Sequence, residues 1–127
     1  MAVKANLGTQ NLSVKVESVE HPSHPCVVIP MKVKQNQGVL KKGLIVGKDA
    51  NGEIVPYDPN AKDANGNPLP ESKPVGILSD DVNTDTDSVA MVIVHGTVFR
   101  ERVFRADGNT LTDTDIQNLS QLTIWLL

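Results

Sequence analysis

The sequence predicts a mainly β domain with one short helix near its C-terminus and an extended N-terminal arm. Two runs rich in aliphatic and β-branched residues, 73–78 and 89–98, flank an acidic insert at 79–88, which is typical of two buried strands joined by a loop. Asn51-Gly52 lies between two further apolar runs, as in β-hairpins. Thr112 precedes a short segment with one apolar face and is a candidate helix N-cap.

The N-terminal segment alternates apolar with polar side chains. Leu12, Val14 and Val16 are separated by polar residues, which is the pattern of a half-buried strand. Residues 1–11 are small and polar and predict an extended arm. A strand so near a terminus needs a neighbour, which is either this chain's own sheet edge or the sheet of another protein.

A proline-rich segment follows the arm. The two prolines in His21-Pro22-Ser23-His24-Pro25 remove backbone donors and favour extended backbone, which predicts a hinge. We therefore predict two parts, an arm with its hinge over residues 1–25 and a β-rich body over residues 26–127.

The first half of the body predicts an edge strand and a hairpin. Residues 26–34 form the first strand, and Pro30 at its middle favours a sheet edge or a bulge. The run 39–48 leads through Asn51-Gly52 into a second strand at 53–57. Asn-Gly favours a type I′ turn, in which both central residues have positive φ.

The second half predicts a loop, strands and the helix. Residues 58–72 hold three prolines and a second Asn-Gly, which indicates a long surface loop tipped by a short hairpin. The strand at 89–98 is expected to continue through 98–104. A helix is predicted over 112–120, because a capping threonine begins it and carboxylates follow where the helix dipole favours them. The chain closes on a strand at 122–127.

Charge and cysteine content argue against several function classes. The 127 residues fit one domain with a real core. A net charge of −3 and a pI near 5.5 are unfavourable for a nucleic-acid partner, which requires clustered Lys and Arg. Cys26 is the single cysteine, so an intramolecular disulfide is excluded and a reducing compartment is the default. No segment is apolar enough to predict a signal peptide or a membrane partner.

Three residues of zinc-binding types lie close together in the hinge. They are His21, His24 and Cys26. A closed structural zinc site needs four ligands, and only His95 remains among the histidines and cysteines. A polar linker held by prolines accounts for the three residues without a metal, so no metal is predicted here.

The acidic insert has the alternating oxygen donors of a calcium loop. They are Asp81, Asn83, Asp85 and Asp87. The insert lacks the glycine at the sixth position and the bidentate glutamate at the twelfth. A solvated acidic turn between two strands is the better interpretation.

Catalytic motifs find no support either. Cys26 has two histidines nearby, but no carboxylate lies close in sequence to orient a base, and a proline-rich segment holds such a pair poorly. The segment Gly76-Ile77-Leu78-Ser79 lacks the second glycine of a nucleophile elbow. The sequence predicts no catalytic residue, no cofactor and no enzyme activity.

Several segments, in this order, resemble one protein family. They are Pro74-Val75-Gly76-Ile77-Leu78, the Asp- and Thr-rich insert, the strand ending in His95-Gly96-Thr97-Val98-Phe99-Arg100, and a short helix before a terminal apolar strand. Over residues 39–127 the chain resembles the head decoration proteins of tailed bacteriophages, the lambda D-like cementing family.

The resemblance implies a body of β-clip type that binds the outside of a capsid as a homotrimer at local three-fold positions and stabilises the shell. It also implies an arm that becomes ordered on the shell. By this analogy Leu12, Val14, Val16 and Val19 are the candidate capsid-binding residues, with the arm adding a strand to the major capsid protein. The protein would be part of the virion and present in the host cytoplasm during assembly.

Two other function classes stay open at this stage. One is a small β-rich module that binds a ligand or carbohydrate on a phage tail or fibre, although aromatic residues for sugar stacking are only 3% of the chain. The other is a metal-dependent or cysteine hydrolase built on His21, His24 and Cys26.

Overall fold

A computed structural model describes residues 18–127 of the chain. This part folds into eight strands and one α-helix, and two 3-10 turns, Pro70–Ser72 and Arg100–Arg102, lie in the connections. In chain order the elements are β1 (Val27–Lys32), β2 (Val39–Leu40), β3 (Ile45–Lys48), β4 (Ile54–Pro56), β5 (Gly76–Leu78), β6 (Val82–Asn83), β7 (Val89–Val98), α1 (Asp113–Gln121) and β8 (Ile124–Leu126).

Six of these strands form one sheet. Its order is β1-β7-β5-β3-β4, all antiparallel, and β8 pairs parallel to the C-terminal end of β7. The two runs predicted as buried strands are β5 and β7, which are neighbours inside the sheet. The prediction of a mainly β fold with one helix near the C-terminus is confirmed.

Hydrophobic cores cover both faces of the sheet. One row of paired residues crosses four strands and points to a single face, because residues opposite each other in a sheet share a face. This row is Val28, Ile93, Ile77 and Ile45. It packs with Leu119 of α1 and Ile124 of β8 in the first core. The adjacent residues Val92 and Leu78 point to the opposite face, where β2 and β6 help to cover the second core.

The two ends of the sheet meet beyond β1. Val33, directly after β1, forms a bridge with Ile54 of β4, and the amide of Lys34 donates to the Ile54 carbonyl at 3.2 Å. Val33 and Ile54 are both fully buried. The sheet therefore curls until its first and last strands share the second core.

Pro30 lies on the free edge of β1, as predicted. The amide of Val33 donates to Ser88 across the ladder, so the alternation of an antiparallel pair turns residues 29, 31 and 33 towards β7. Residues 28, 30 and 32 consequently face outwards. The missing N–H of Pro30 costs no ladder hydrogen bond, and it removes the central donor from an edge that could otherwise accept a foreign strand.

The predicted hairpin at Asn51-Gly52 is present, but its predicted turn type is wrong. Strands β3 and β4 pair on either side of it. Gly52 has φ +78° and Asn51 does not have a positive φ, whereas a type I′ turn requires both. The carboxylate of Asp49 accepts hydrogen bonds from the amides of Asn51 and Glu53, and Gly52 N donates to Asp49 O. This aspartate cap selects the alternative turn.

The same turn occurs again at the tip of the loop 58–72. Asp63 accepts from the amides of Asn65 and Asn67, and Gly66 has φ +82°. Lys62 pairs with Pro68, so the predicted hairpin at the loop tip is confirmed. The repeated sequence Asp-Ala-Asn-Gly thus has one local structure in two places, a short repeat that pattern analysis missed.

Two further predictions differ from the structure. Strand β7 ends at Val98 instead of continuing to 104, because a 3-10 turn follows at Arg100–Arg102, and Phe104 pairs with Leu44. The insert 79–88 is only partly solvated, since Val82 and Thr84 are buried. The predicted helix is confirmed, and it begins and ends one residue later than predicted.

Gly43 provides a test of the backbone packing. It has φ +91°, and a Cβ added there would lie 1.9 Å from the carbonyl oxygen of Arg102. Gly38 has a similar φ of +71° with open space around it. We expect Gly38→Ala to cost about 1–2 kcal/mol through the left-handed backbone. Gly43→Ala should cost a further ~1–3 kcal/mol through the clash. Equal unfolding free energies in urea would contradict this packing.

Candidate functional site

The root of the N-terminal arm, defined as Ser18 to Glu20, is attached to the body. Glu20 forms a bridge with Val98, and the amide of Phe99 donates to the Val19 carbonyl at 3.0 Å. The Val19 side chain is 1% exposed in the first core. Val19 was predicted to bind a capsid, but its side chain is occupied inside its own molecule. The other predicted arm residues, Leu12, Val14 and Val16, lie outside the described residues.

The proline-rich segment is a bulge held by one side chain. Thr97 Oγ1 is within 3.1 Å of the carbonyls of His21 and His24 and of the His24 amide, and 3.0 Å from Ser23 Oγ. Thr97 is itself buried. Residues 18–25 are therefore packed against the body, and the division of the chain at residue 25 stays a prediction. A threonine inside an apolar strand gave no signal of this role.

Arg102 fixes the point at which the chain enters the body. Its guanidinium donates to the carbonyl of Ser18 and lies 4.2 Å from the centroid of the Phe99 ring. The ring of His21 packs at 4.6 Å from the same ring. A cation–π contact and a charge-assisted hydrogen bond thus hold the arm root in one direction.

The C-terminus lies on the opposite side of the same strand end. The amide of Leu127 donates to Val98 O, and the amide of Arg100 donates to Leu127 O, both at 3.0 Å. Trp125 and Leu127 leave 39% and 57% of their surface exposed. The arm root and an exposed apolar C-terminus therefore flank the last residues of β7.

The three residues weighed as zinc ligands are not brought together. His24 contacts His95, His21 packs on Phe99, and the Cys26 thiol donates to the Thr97 carbonyl. Burial, with nearby Glu20, raises the pKa of the Cys26 thiol. A thiol with a raised pKa is less available as a thiolate nucleophile. Among residues 18–127, no cluster of three or more His, Cys, Asp or Glu has the arrangement of a metal site.

Side-chain oxygens of the acidic insert accept hydrogen bonds from backbone amides, within the insert and at Lys42. Asp87 accepts from the Asn83 amide, Asn83 from the Asp85 amide, and Asp81 from the Lys42 amide. The hydrogen bond from Lys42 lowers the pKa of Asp81. Three of the four side chains that resembled a calcium loop, Asp81, Asn83 and Asp87, therefore accept hydrogen bonds from backbone amides.

A buried polar network connects the helix to the sheet. The hydroxyl of Tyr57 donates to Asp115 at 2.6 Å, and Arg105 donates to the other oxygen of Asp115 at 3.1 Å. Burial and the Asp115 hydrogen bond raise the pKa of Tyr57 to about 12. Tyr57 is the one aromatic residue lining an open cleft beside the loop 58–72, and it is 2% exposed. The cleft therefore presents no ring on which a sugar could stack.

No helix of residues 18–127 has the length and apolarity needed to span a bilayer. A comparison with curated proteins gave no match. A family model described as bacteriophage lambda head decoration protein D matches residues 27–124, from the start of β1 to the start of β8. Because this match covers well over half of the chain and includes the five strands β1, β7, β5, β3 and β4 of the sheet, the chain belongs to the bacteriophage lambda head decoration protein D family.

Proposed function

We propose that the protein binds the outside of a tailed-phage capsid as trimers at local three-fold positions and stabilises the shell. The observation that carries this proposal is the family match over the body, residues 27–124. Membership of a head decoration family gives the protein a structural role on the phage head. The trimer, its position and the cementing effect are the parts that we propose.

The end of β7 is the proposed capsid-facing side. The arm root enters the body there, held by Arg102, and Trp125 and Leu127 flank the same strand end. An arm that pairs with the capsid brings this end of the body against it. Exposed aromatic residues next to such a point are typical interface anchors.

The arm supplies a second part of the interface in this proposal. Leu12, Val14 and Val16 add a strand to the major capsid protein, with apolar side chains on one face of that strand. Val19 is left out, because it anchors the arm root in the first core. The free edge of β1 does not compete for the same role, since Pro30 lacks a donor at its centre.

Binding to undecorated, expanded capsids of the parent phage tests the proposal. We expect density for three copies at each local three-fold position by cryo-electron microscopy, and decorated shells that withstand higher temperatures than bare ones. Trp125→Ser should weaken binding about tenfold or more, as for an aromatic interface anchor. Phe104→Ser is the matched control, because both side chains are 39% exposed but Phe104 lies at the Leu44 contact.

Monomers bound away from the three-fold positions would contradict the proposal. Equal loss of binding in the Trp125 and Phe104 variants would contradict the assignment of the capsid-facing end. A thermal unfolding transition in each variant is the control that both proteins are folded before their binding is compared.

A further inference from the structure

Two histidines meet between the proline-rich bulge and β7. His24 Nε2 and His95 Nε2 are 2.9 Å apart, and the capsid proposal uses neither ring. His24 is exposed, so solvent reaches the pair. The chain has three histidines, and the third, His21, packs on Phe99 instead.

A hydroxyl group lies at the other ring nitrogen of His95. Thr123 Oγ1 is 2.7 Å from His95 Nδ1 and also contacts the Leu122 carbonyl. Donation from the hydroxyl to that carbonyl leaves it an acceptor for His95 Nδ1–H, which frees the Nε2 lone pair on the side of His24. A group that accepts from the second ring nitrogen is typical of histidines that bind metals.

Thr123 makes this contact from the end of α1. Its φ is +67°, the left-handed value common just after a helix C-terminus, and its amide donates to the Ser120 carbonyl at 2.9 Å. The Trp125 ring packs edge-on against both imidazoles, with centroids 5.5 Å and 5.6 Å away. Thr123 and Trp125 together restrict where the two rings can point.

The separation of the two nitrogens is that of a hydrogen bond, and it also fits two bonds to one metal ion. Two metal–nitrogen bonds of about 2.05 Å with their nitrogens 2.9 Å apart enclose an angle of roughly 90°. A tetrahedral ion needs about 3.3 Å between the nitrogens at the same bond length. Right angles between imidazole nitrogens are typical of square-planar or octahedral Ni²⁺ and Cu²⁺.

We propose that His24 and His95 form a two-histidine site for a divalent transition metal ion of this kind. Each imidazole turns to direct its Nε2 lone pair at the ion, and His24 moves its proton from Nε2 to Nδ1. Water fills the remaining positions on the solvent side. Because His24 lies in the bulge and His95 in β7, the bound ion ties the segment that follows the arm root to the sheet.

Titration of NiCl₂ into the untagged full-length protein at pH 7.5 tests the site. Trp125 is the single tryptophan, so its fluorescence reports an ion held beside it. We expect saturable quenching with one ion per chain and a rise in the unfolding temperature. His24→Asn and His95→Asn should each weaken binding by about tenfold or more, whereas His21→Asn should bind normally.

A second pair of variants tests the role of Thr123. Thr123→Ala should weaken Ni²⁺ binding about tenfold, and Thr123→Ser should restore it, because the serine keeps the hydroxyl that accepts from His95. Far-ultraviolet circular dichroism checks that each variant is folded. Unsaturable quenching, or affinity unchanged in the folded double variant His24→Asn/His95→Asn, would overturn the proposal.

Discussion

Removal of residues 1–17 is expected to abolish capsid decoration while leaving the body folded. The truncated chain keeps Ser18 and Val19, so the arm root, its contact with Arg102 and the first core stay intact. We therefore expect an unchanged unfolding temperature, together with loss of bound protein when capsids are pelleted. Seventeen residues can reach about 55 Å when extended.

A pair of full-length variants separates the strand pattern from mere chain length. Replacing Leu12, Val14 and Val16 by serine removes the apolar face of the predicted strand and should abolish decoration to the same extent. Replacing the alternate residues Ser13, Lys15 and Glu17 by alanine keeps that face and should preserve binding. Undiminished occupancy by the truncated protein would disprove the arm's role and leave the family assignment untouched.

Asp115→Ala is expected to produce the largest loss of stability, about 3–5 kcal/mol, because it leaves the buried Arg105 guanidinium without one of its two carboxylates. Asp115 is 1% exposed and also caps α1, accepting from the Thr112 amide at 2.9 Å. Asp113→Ala in the same helical turn is the control, since this exposed carboxylate should contribute only about 0.3–1 kcal/mol. Urea denaturation at pH 7 compares them, and equal losses would contradict the importance of the network.

The network also makes stability depend on pH in two directions. Burial alone would raise the pKa of Asp115, but hydrogen bonds from Thr112, Tyr57 and Arg105 hold it below its usual value. Its contribution is therefore complete above about pH 4 and is lost as the pH falls through the folded-state pKa. The pKa of Tyr57 is raised to about 12, so its contribution is complete below about pH 10 and is lost as the pH rises further. In the Asp115→Ala variant, the free energy of unfolding should change less steeply with pH at both the acidic and the basic end.

Local patterns in the sequence predicted most of the elements correctly. The β5 and β7 runs, the edge position of Pro30 and the capped helix depend on alternation, proline chemistry and an N-cap, all of which act over a few residues. The turn at Asn51-Gly52 was assigned wrongly because the carboxylate of Asp49, two residues earlier, outweighs the preference of the Asn-Gly pair. The type of this turn is therefore also determined locally, but by a segment that includes Asp49 as well as the Asn-Gly pair.

The candidate site depended on contacts between residues far apart in the chain. Val19 looked like part of an exposed arm, because nothing in its neighbourhood indicates that it packs beside Val98 and Leu119. The hydrogen bonds of Thr97 to the bulge span more than seventy residues of sequence, and so does the contact of His24 with His95. Alternation and turn chemistry carry no information about such partners, so these roles emerged only from the fold.

A sheet with a core on each face has a mechanical consequence. Consecutive residues of β7, such as Ile93 and Val92, belong to different cores. A shift in the register of this strand would therefore disturb the packing of both cores at once. The sheet separates the two cores, and both cores pack against it. We therefore expect the body to be rigid and to transmit a force applied at the arm root. We also expect it to unfold cooperatively, in a single transition.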